Sequence, residues 1–291
     1  MTSISKTDSL FCFGLGYVAQ HLFAKLNQEG ISTQGTHRIG PLGFDGNSMN
    51  PQLIPAIQKA SHILISIPPN DNGDQVLEHY ADVLREAKPS WVGYLSSTSI
   101  YGDHHGAWVD ETSHCHPTSP NGKARLIAEK QWIEGFHSLG LPIHIFRLSG
   151  IYGVGRNVFD TLKNGTAQNI IKQNHVFSRI HADDIVKALL ASMENPTPGE
   201  IYNLSDDLPA SSSDVLAYAC EISGLPCPEP VAFEKAILSP MGKGFYKDHK
   251  RVSNHKIKEK LGLTLTYPSY REGLQSILTS KLALKSDSFK Q

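Results

Sequence analysis

Short apolar runs that alternate with amphipathic stretches predict an α/β protein: a doubly wound, open parallel sheet with helices on both faces and a small C-terminal lobe. Three observations carry this expectation. Apolar runs of strand length recur, each closed by turn residues. The segments between them have helical period. Regular alternation then stops near Gly150.

Ser9 to Phe13 reads as a buried strand, and Tyr17 to Glu29 repeats Val18, Leu22 and Leu26 with Ala19 and Phe23 beside them, which is one helix face. Gly30 supplies a helix stop, and Ile31 to Thr36 returns as a second strand. Ile63 to Ile67 is a third, closed by Pro68 and Pro69. Val76 to Ala87 is helical, and Trp91 to Leu95 is a strand ending at Ser96 and Ser97. A helix from Gly122 to Phe136 sets Ala128, Trp132 and Phe136 on one face, and Ile143 to Leu148 is the next strand. Beyond Gly150 the reading is an irregular Gly- and Asn-rich loop, a helix over Asp184 to Met193, a strand over Ile201 to Leu204 and a helix opened by Ser211 to Asp214. A proline-rich connection spans Leu225 to Pro230. A last helix starts at Ser269, with Glu272 completing a capping box, and frays after Leu284. The expected division is a nucleotide-binding domain over 1–155 with a re-entrant part near 181–204, and a lobe from 156–180 and 205–291.

Composition narrows the function classes. With 291 residues, 40% of them hydrophobic, the chain can bury a full core, and a net charge of -1 with a pI near 6.9 provides no basic stripe for nucleic acid. The opening MTSISKTDSL lacks a basic head and an apolar stretch, and no apolar run approaches the roughly 20 residues that span a bilayer. A cytoplasmic protein with a small-molecule substrate, bound to neither nucleic acid nor membrane, is expected; a homodimer is left open. Cys12, Cys115, Cys220 and Cys227 form no C-x-x-C pair and read as reduced and structural. His114, Cys115 and His116 are adjacent, but neighbours in one loop seldom converge on an ion, so no metal site is expected.

Gly14, Gly16 and Ala19 form G-x-G-x-x-A between the first strand and the first helix, the context that gives this motif meaning. Gly14 permits a tight turn, Gly16 lets a diphosphate approach the backbone, and Ala19 lets the helix lie close to the sheet. The helix start, with Tyr17 and Val18, offers free N–H groups to the phosphates of a dinucleotide held by a Rossmann fold. An NAD site usually carries an acidic residue after the second strand, where this chain has Thr36, His37 and Arg38. Arg38, and His37 when protonated, attract a 2'-phosphate, so NADP(H) is expected ahead of NAD(H). The alternative for Arg38 is an ordinary solvated loop cation.

Several segments in common order resemble the extended short-chain dehydrogenase/reductase superfamily, the NAD(P)-dependent epimerase/dehydratase group, and within it the atypical YeeZ-type branch. These are FCFGLGYVAQHL, YLSSTSIYGD, FRLSGIYGVGRN, RIHADDIVKAL, IYNLSDDLPAS and RVSNHKIKEKLGLTLTYPSYREGL. The resemblance implies cofactor contacts at Ser96, Leu148 and Ile151, and a catalytic Ser97 four residues before Tyr101, with Thr98 as a second hydroxyl. It also implies a Tyr-x-x-x-Lys pair where the chain has Asn121 and Arg125. Asparagine orients a carbonyl but does not exchange protons near neutral pH. Arg125 keeps a positive charge for a ribose, or pairs instead with Glu129 one turn on. Lys123 lies on a different side of the helix. Tyr101, Tyr152 and a semi-exposed His181 are alternative proton donors; each also suits packing or capping. Arg156, Arg179 and Arg251 are the lobe's available cations. Two functions follow: an atypical NAD(P)-dependent oxidoreductase or epimerase acting on a small carbonyl or sugar-like substrate, and a non-catalytic NADP(H)-binding sensor.

Overall fold

Side-chain alternation along the first strand builds both halves of the core at once. Leu10 and Cys12 enter one apolar cluster, Phe11 and Phe13 the other, as the twofold period of a strand requires. The computed structural model describes residues 4–288. Its first half runs β1 (Ser9–Phe13), α1 (Tyr17–Gln28), β2 (Ser32–Gly35), α2 (Ile54–Lys59), β3 (His62–Ile65), α3 (Gln75–Ala87), β4 (Trp91–Ser97), β5 (Trp108–Val109), α4 (Pro120–Leu139) and β6 (Ile143–Leu148). The second half runs β7 (Gly150–Tyr152), α5 (Val158–Lys163), β8 (Asn169–Ile171), β9 (Arg179–His181), α6 (Ala182–Glu194), β10 (Ile201–Leu204), α7 (Ser212–Ser223), β11 (Pro230–Ala232), α8 (Pro240–Phe245), β12 (Arg251–Val252), α9 (His255–Leu261) and α10 (Tyr270–Ser288).

Six strands form one parallel sheet in the order β2, β1, β3, β4, β6, β10. Helices α1, α6 and α9 place Leu22, Leu189 and Ile257 on one face, while α2, α3 and α4 place Ile57, Leu84 and Trp132 on the other. The sheet is therefore doubly wound, as the alternation of periods predicts. From β1 the chain moves outward to β2 and then returns to β3 on the far side of β1. That reversal opens a crevice at the carboxyl ends of β1 and β3, where open α/β sheets bind ligands.

The region after Gly150 is more ordered than its composition suggests. Three small parallel pairs, β7 with β9, β8 with β11 and β5 with β12, tie the lobe together and to the loop after β4. Tyr152, Phe159, Val215, Tyr270 and Leu274 give the lobe its own apolar cluster. Ile257, Leu261, Leu263 and Leu265, assigned to the lobe from sequence, instead join the sheet's core. Helix α6 starts two residues earlier than expected, because His181 caps it by accepting from the Asp183 N–H at 3.2 Å. The Ser211 and Asp214 capping box closes both ways. The Ser269 box closes differently: Glu272 accepts from the Ser269 N–H, whereas Ser269 Oγ accepts from Arg271. Helix α10 continues past Leu284 to Ser288, and the remainder of the expected frayed end lies outside the described residues. Among the described residues no helix is long and apolar enough to cross a membrane.

Candidate cofactor and active site

The loop after β1 is held by Thr36. Its hydroxyl accepts from the Gly14 N–H at 2.9 Å, its carbonyl accepts from the Leu15 N–H at 3.0 Å, and its own N–H donates to Cys12 O. Thr36 is thus buried and engaged within the loop. Gly14 has φ +94, and a Cβ there would stand 2.5 Å from Ile67 Cγ2, so turn and close packing both require glycine. Gly16 differs. Its backbone is extended, it is exposed, and a Cβ would make only an ordinary contact with Ser66 Oγ at 3.8 Å, so neither turn nor packing requires glycine there. Gly16 is also the N-cap of α1 and no side chain caps the helix, which leaves its first N–H groups free for a ligand. Val18 and Ala19 point their side chains into the core, so they meet a ligand there through backbone alone. Tyr17 is half-buried, donates its phenol to Val154 O at 2.9 Å, and has a pKa pushed up to about 12 by burial, against the opposing pull of Arg156. His37 and Arg38 are exposed beyond the end of β2.

At the ends of β4 and β6 the expected roles divide. Ser97 Oγ accepts from the Ser99 N–H at 3.2 Å and keeps its own proton to donate. Ser96 is buried, and its hydroxyl donates to Glu129 Oε1 at 2.5 Å, so its side chain is taken up by the core. Leu148 is buried and Ile151 half-buried, both against the cluster beneath the carboxyl edge. Asn121 is exposed on the first turn of α4, behind Ser119, whose side chain caps that helix by accepting from the Gly122 N–H. Arg125 donates to Leu95 O and lies 5.7 Å from the Tyr94 ring centre. It makes no pair with Glu129, because Arg147 holds that carboxylate: Arg147 Nη2 to Glu129 Oε2 is 2.8 Å, with Nε donating to both oxygens at 3.2 Å.

Arg147 begins a buried network that sequence reasoning missed. Its Nη1 donates to Tyr101 Oη at 2.9 Å, Tyr101 donates to Asn203 Oδ1 at 2.8 Å, and the Asn203 N–H donates to Glu111 at 2.7 Å. The available signal was a lone arginine inside the apolar run Ile143 to Leu148. All three alternative proton donors are thereby accounted for. Tyr101 is inside the network, and Tyr152 donates to Ser269 O at 3.2 Å over Gly273 of α10. His181 is buried rather than semi-exposed, with its ring centre 4.1 Å from that of Tyr267. Burial raises both phenol pKa values and lowers that of the imidazole. Of the lobe's cations, Arg179 donates to Phe177 O and Ala210 O, Arg251 to Gly106 O, and Arg156 is exposed. All four cysteines are free. Cys115 Sγ turns toward Ser113 O, and the described residues hold no group of three His, Cys, Asp or Glu suited to a metal ion.

Comparison with known proteins agrees with this architecture. The model of the NAD dependent epimerase/dehydratase family matches residues 75–205. A functionally unknown conserved protein from Silicibacter pomeroyi is 43% identical with a TM-score of 0.83, over 94% of this chain and 99% of that one. Protein YeeZ of Escherichia coli K12 is 26% identical over 88% of this chain and 94% of its own length. Residues 75–205 thus carry an NAD dependent epimerase/dehydratase family domain, and the chain as a whole is similar to protein YeeZ. A dTDP-glucose 4,6-dehydratase of that fold, DesIV from Streptomyces venezuelae solved with NAD bound, superposes with a TM-score of 0.75 at 16% identity, over 93% of this chain and 96% of its own. The stretch matched by the family covers Ser97, Asn121, Arg125 and Arg147 but begins after the glycine loop, so the loop stands on its own geometry.

Proposed function

We propose that the chain binds a nicotinamide dinucleotide, NADP(H) in preference to NAD(H), in the crevice at the ends of β1 and β3. The single observation that carries this is an exposed Gly16, which neither turn nor packing requires, in front of an uncapped α1. The epimerase/dehydratase family domain over residues 75–205 and the exposed Arg38, with no acid in its place, support it. When bound, the cofactor exchanges a hydride at its nicotinamide ring. The substrate, a small carbonyl or sugar-like molecule, would lie between the sheet's carboxyl edge and the lobe, the latter comprising 156–180 and 205–291 apart from the stretch given to the core. Ser97 would donate its proton to a substrate oxygen and Asn121 would orient it. Arg125, turned toward β4, would reach a ribose only after leaving the Leu95 carbonyl.

A second reading, a non-catalytic NADP(H)-dependent sensor, is favoured by one observation. Position 121 holds no ionisable group, Tyr101 and Tyr152 are engaged elsewhere, and His181 is buried with Nδ1 capping α6. Fluorescence titration with NADPH followed by single-turnover assays on carbonyl and nucleotide-sugar substrates separates the two. Hydride transfer on any of them supports the enzyme. Tight binding with none supports the sensor, and absence of NADPH binding overturns both.

A further inference from the structure

The turn after β7 is fastened to the first residue of α1. Gly153 and Arg156 exchange backbone hydrogen bonds of 3.0 and 3.1 Å, with Val154 and Gly155 at the tip. Tyr17 pins that tip through its phenol on Val154 O. Gly153 makes the contact sterically possible: a Cβ there would lie 2.6 Å from Tyr17 Oη and 3.2 Å from Ala182 Cβ. The same point is 3.7 Å from His181 Nε2, which is buried without a hydrogen-bond partner. Since Nδ1 of His181 accepts from the Asp183 N–H, Nε2 carries the proton, so an unused donor faces this corner. Above it, the exposed guanidinium of Arg156 lies 5.8 Å from the centre of the Tyr17 ring.

We infer that Arg156 is a phosphate ligand of the dinucleotide, held over the α1 start by the Tyr17 contact and acting on the diphosphate rather than the 2'-phosphate. The inference rests on the cofactor reading above. The placement follows from chain geometry: Tyr17 succeeds Gly16, beside which a diphosphate would lie, whereas Arg38 stands beyond β2 where the adenosine ribose would sit. Charge supports it further. Asp160 and Asp183 act on the Tyr17 phenol and Arg156 opposes them, so removal of the arginine takes positive charge from this corner.

Titration of the full-length protein with NADPH, ADP, 2'-AMP and UDP-glucose tests this, using Arg156→Ala, Arg156→Lys and Arg38→Ala. Arg156→Ala should weaken NADPH and ADP by roughly ten- to a hundred-fold, with Arg156→Lys in between and the melting temperature unchanged. 2'-AMP should lose affinity in Arg38→Ala and keep it in Arg156→Ala. Parent-like NADPH and ADP binding in Arg156→Ala overturns this inference alone. So does a loss confined to UDP-glucose, which would give the arginine to a substrate's phosphates. A parent that binds neither NADPH nor ADP overturns the cofactor reading along with it.

Discussion

Glu129 on α4 and Arg147 on β6 form a two-pronged ion pair with both side chains nearly sealed from solvent, at 4% and 5% exposure. Ser96 and Tyr101 complete it, so each charge is hydrogen-bonded as well as paired. The pair locks α4, which carries Asn121 and Arg125, to the sheet. Arg147→Ala leaves a buried, unpaired carboxylate and should cost about 3 to 5 kcal/mol in urea unfolding. Glu129→Leu with Arg147→Met should cost less than the two single changes added together. A loss under about 1 kcal/mol for Arg147→Ala would show that α4 is held by apolar packing alone.

Asp206, just past β10, gives a pH dependence of definite sign. Burial raises its pKa to about 8 despite the opposing influence of Arg179. The native protein then holds a proton that the unfolded chain releases near pH 4. Asp206 therefore lowers stability progressively as pH rises from about 4 to about 8. Asp206→Asn should match the parent at pH 4 and gain on it steadily toward pH 8. A stability difference independent of pH across that window would refute the assignment.

Strand positions were legible in the sequence where both faces are buried. β1, β6 and β10 occupy Ser9–Phe13, Ile143–Leu148 and Ile201–Leu204, as read from their apolar runs. The three small parallel pairs were not, because two or three residues of mixed polarity carry no period and their partners lie far along the chain. In the site, the G-x-G-x-x-A context located the loop, but it did not give side-chain direction at strand ends. Thr36 and Ser96 look equally free in sequence, yet each turns inward to satisfy a buried partner. The Glu129 partner was not legible for a similar reason: helix spacing offers Arg125 as an alternative, while the sheet delivers Arg147 from 18 residues away.

The proposed cofactor choice rests on the cation beyond β2. Arg38 is exposed, so its contact with a 2'-phosphate would be partly screened by solvent. Arg38→Ala should erase most of a preference for NADPH over NADH, on the order of 1 to 3 kcal/mol. Equal or tighter NADH binding by the parent would reverse this assignment.

Chemistry at position 121 gives a gain-of-function test. General acid/base help is typically worth about 10²- to 10⁴-fold, so the parent should be slow on carbonyl substrates. Asn121→Tyr with Arg125→Lys should raise trace reductase activity with little change in NADPH affinity. Tyr101→Phe and Tyr152→Phe should leave parental turnover per folded molecule unaltered, because both phenols are hydrogen-bonded within the protein, and His181→Ala should act on cofactor binding rather than on proton transfer. A sharp fall in any one of them would identify a proton donor this account places elsewhere.

Gly16→Val probes the central claim most directly. The backbone at Gly16, φ -78 and ψ -173, suits any residue, and its nearest neighbour is Ser66 Oγ at 3.8 Å. The substitution should therefore leave the fold intact while placing a side chain where the proposed diphosphate would lie. In a fluorescence titration the parent should bind NADPH, and Gly16→Val, with an unchanged melting temperature, should bind at least about tenfold more weakly. NADPH affinity equal in the two proteins would contradict the account.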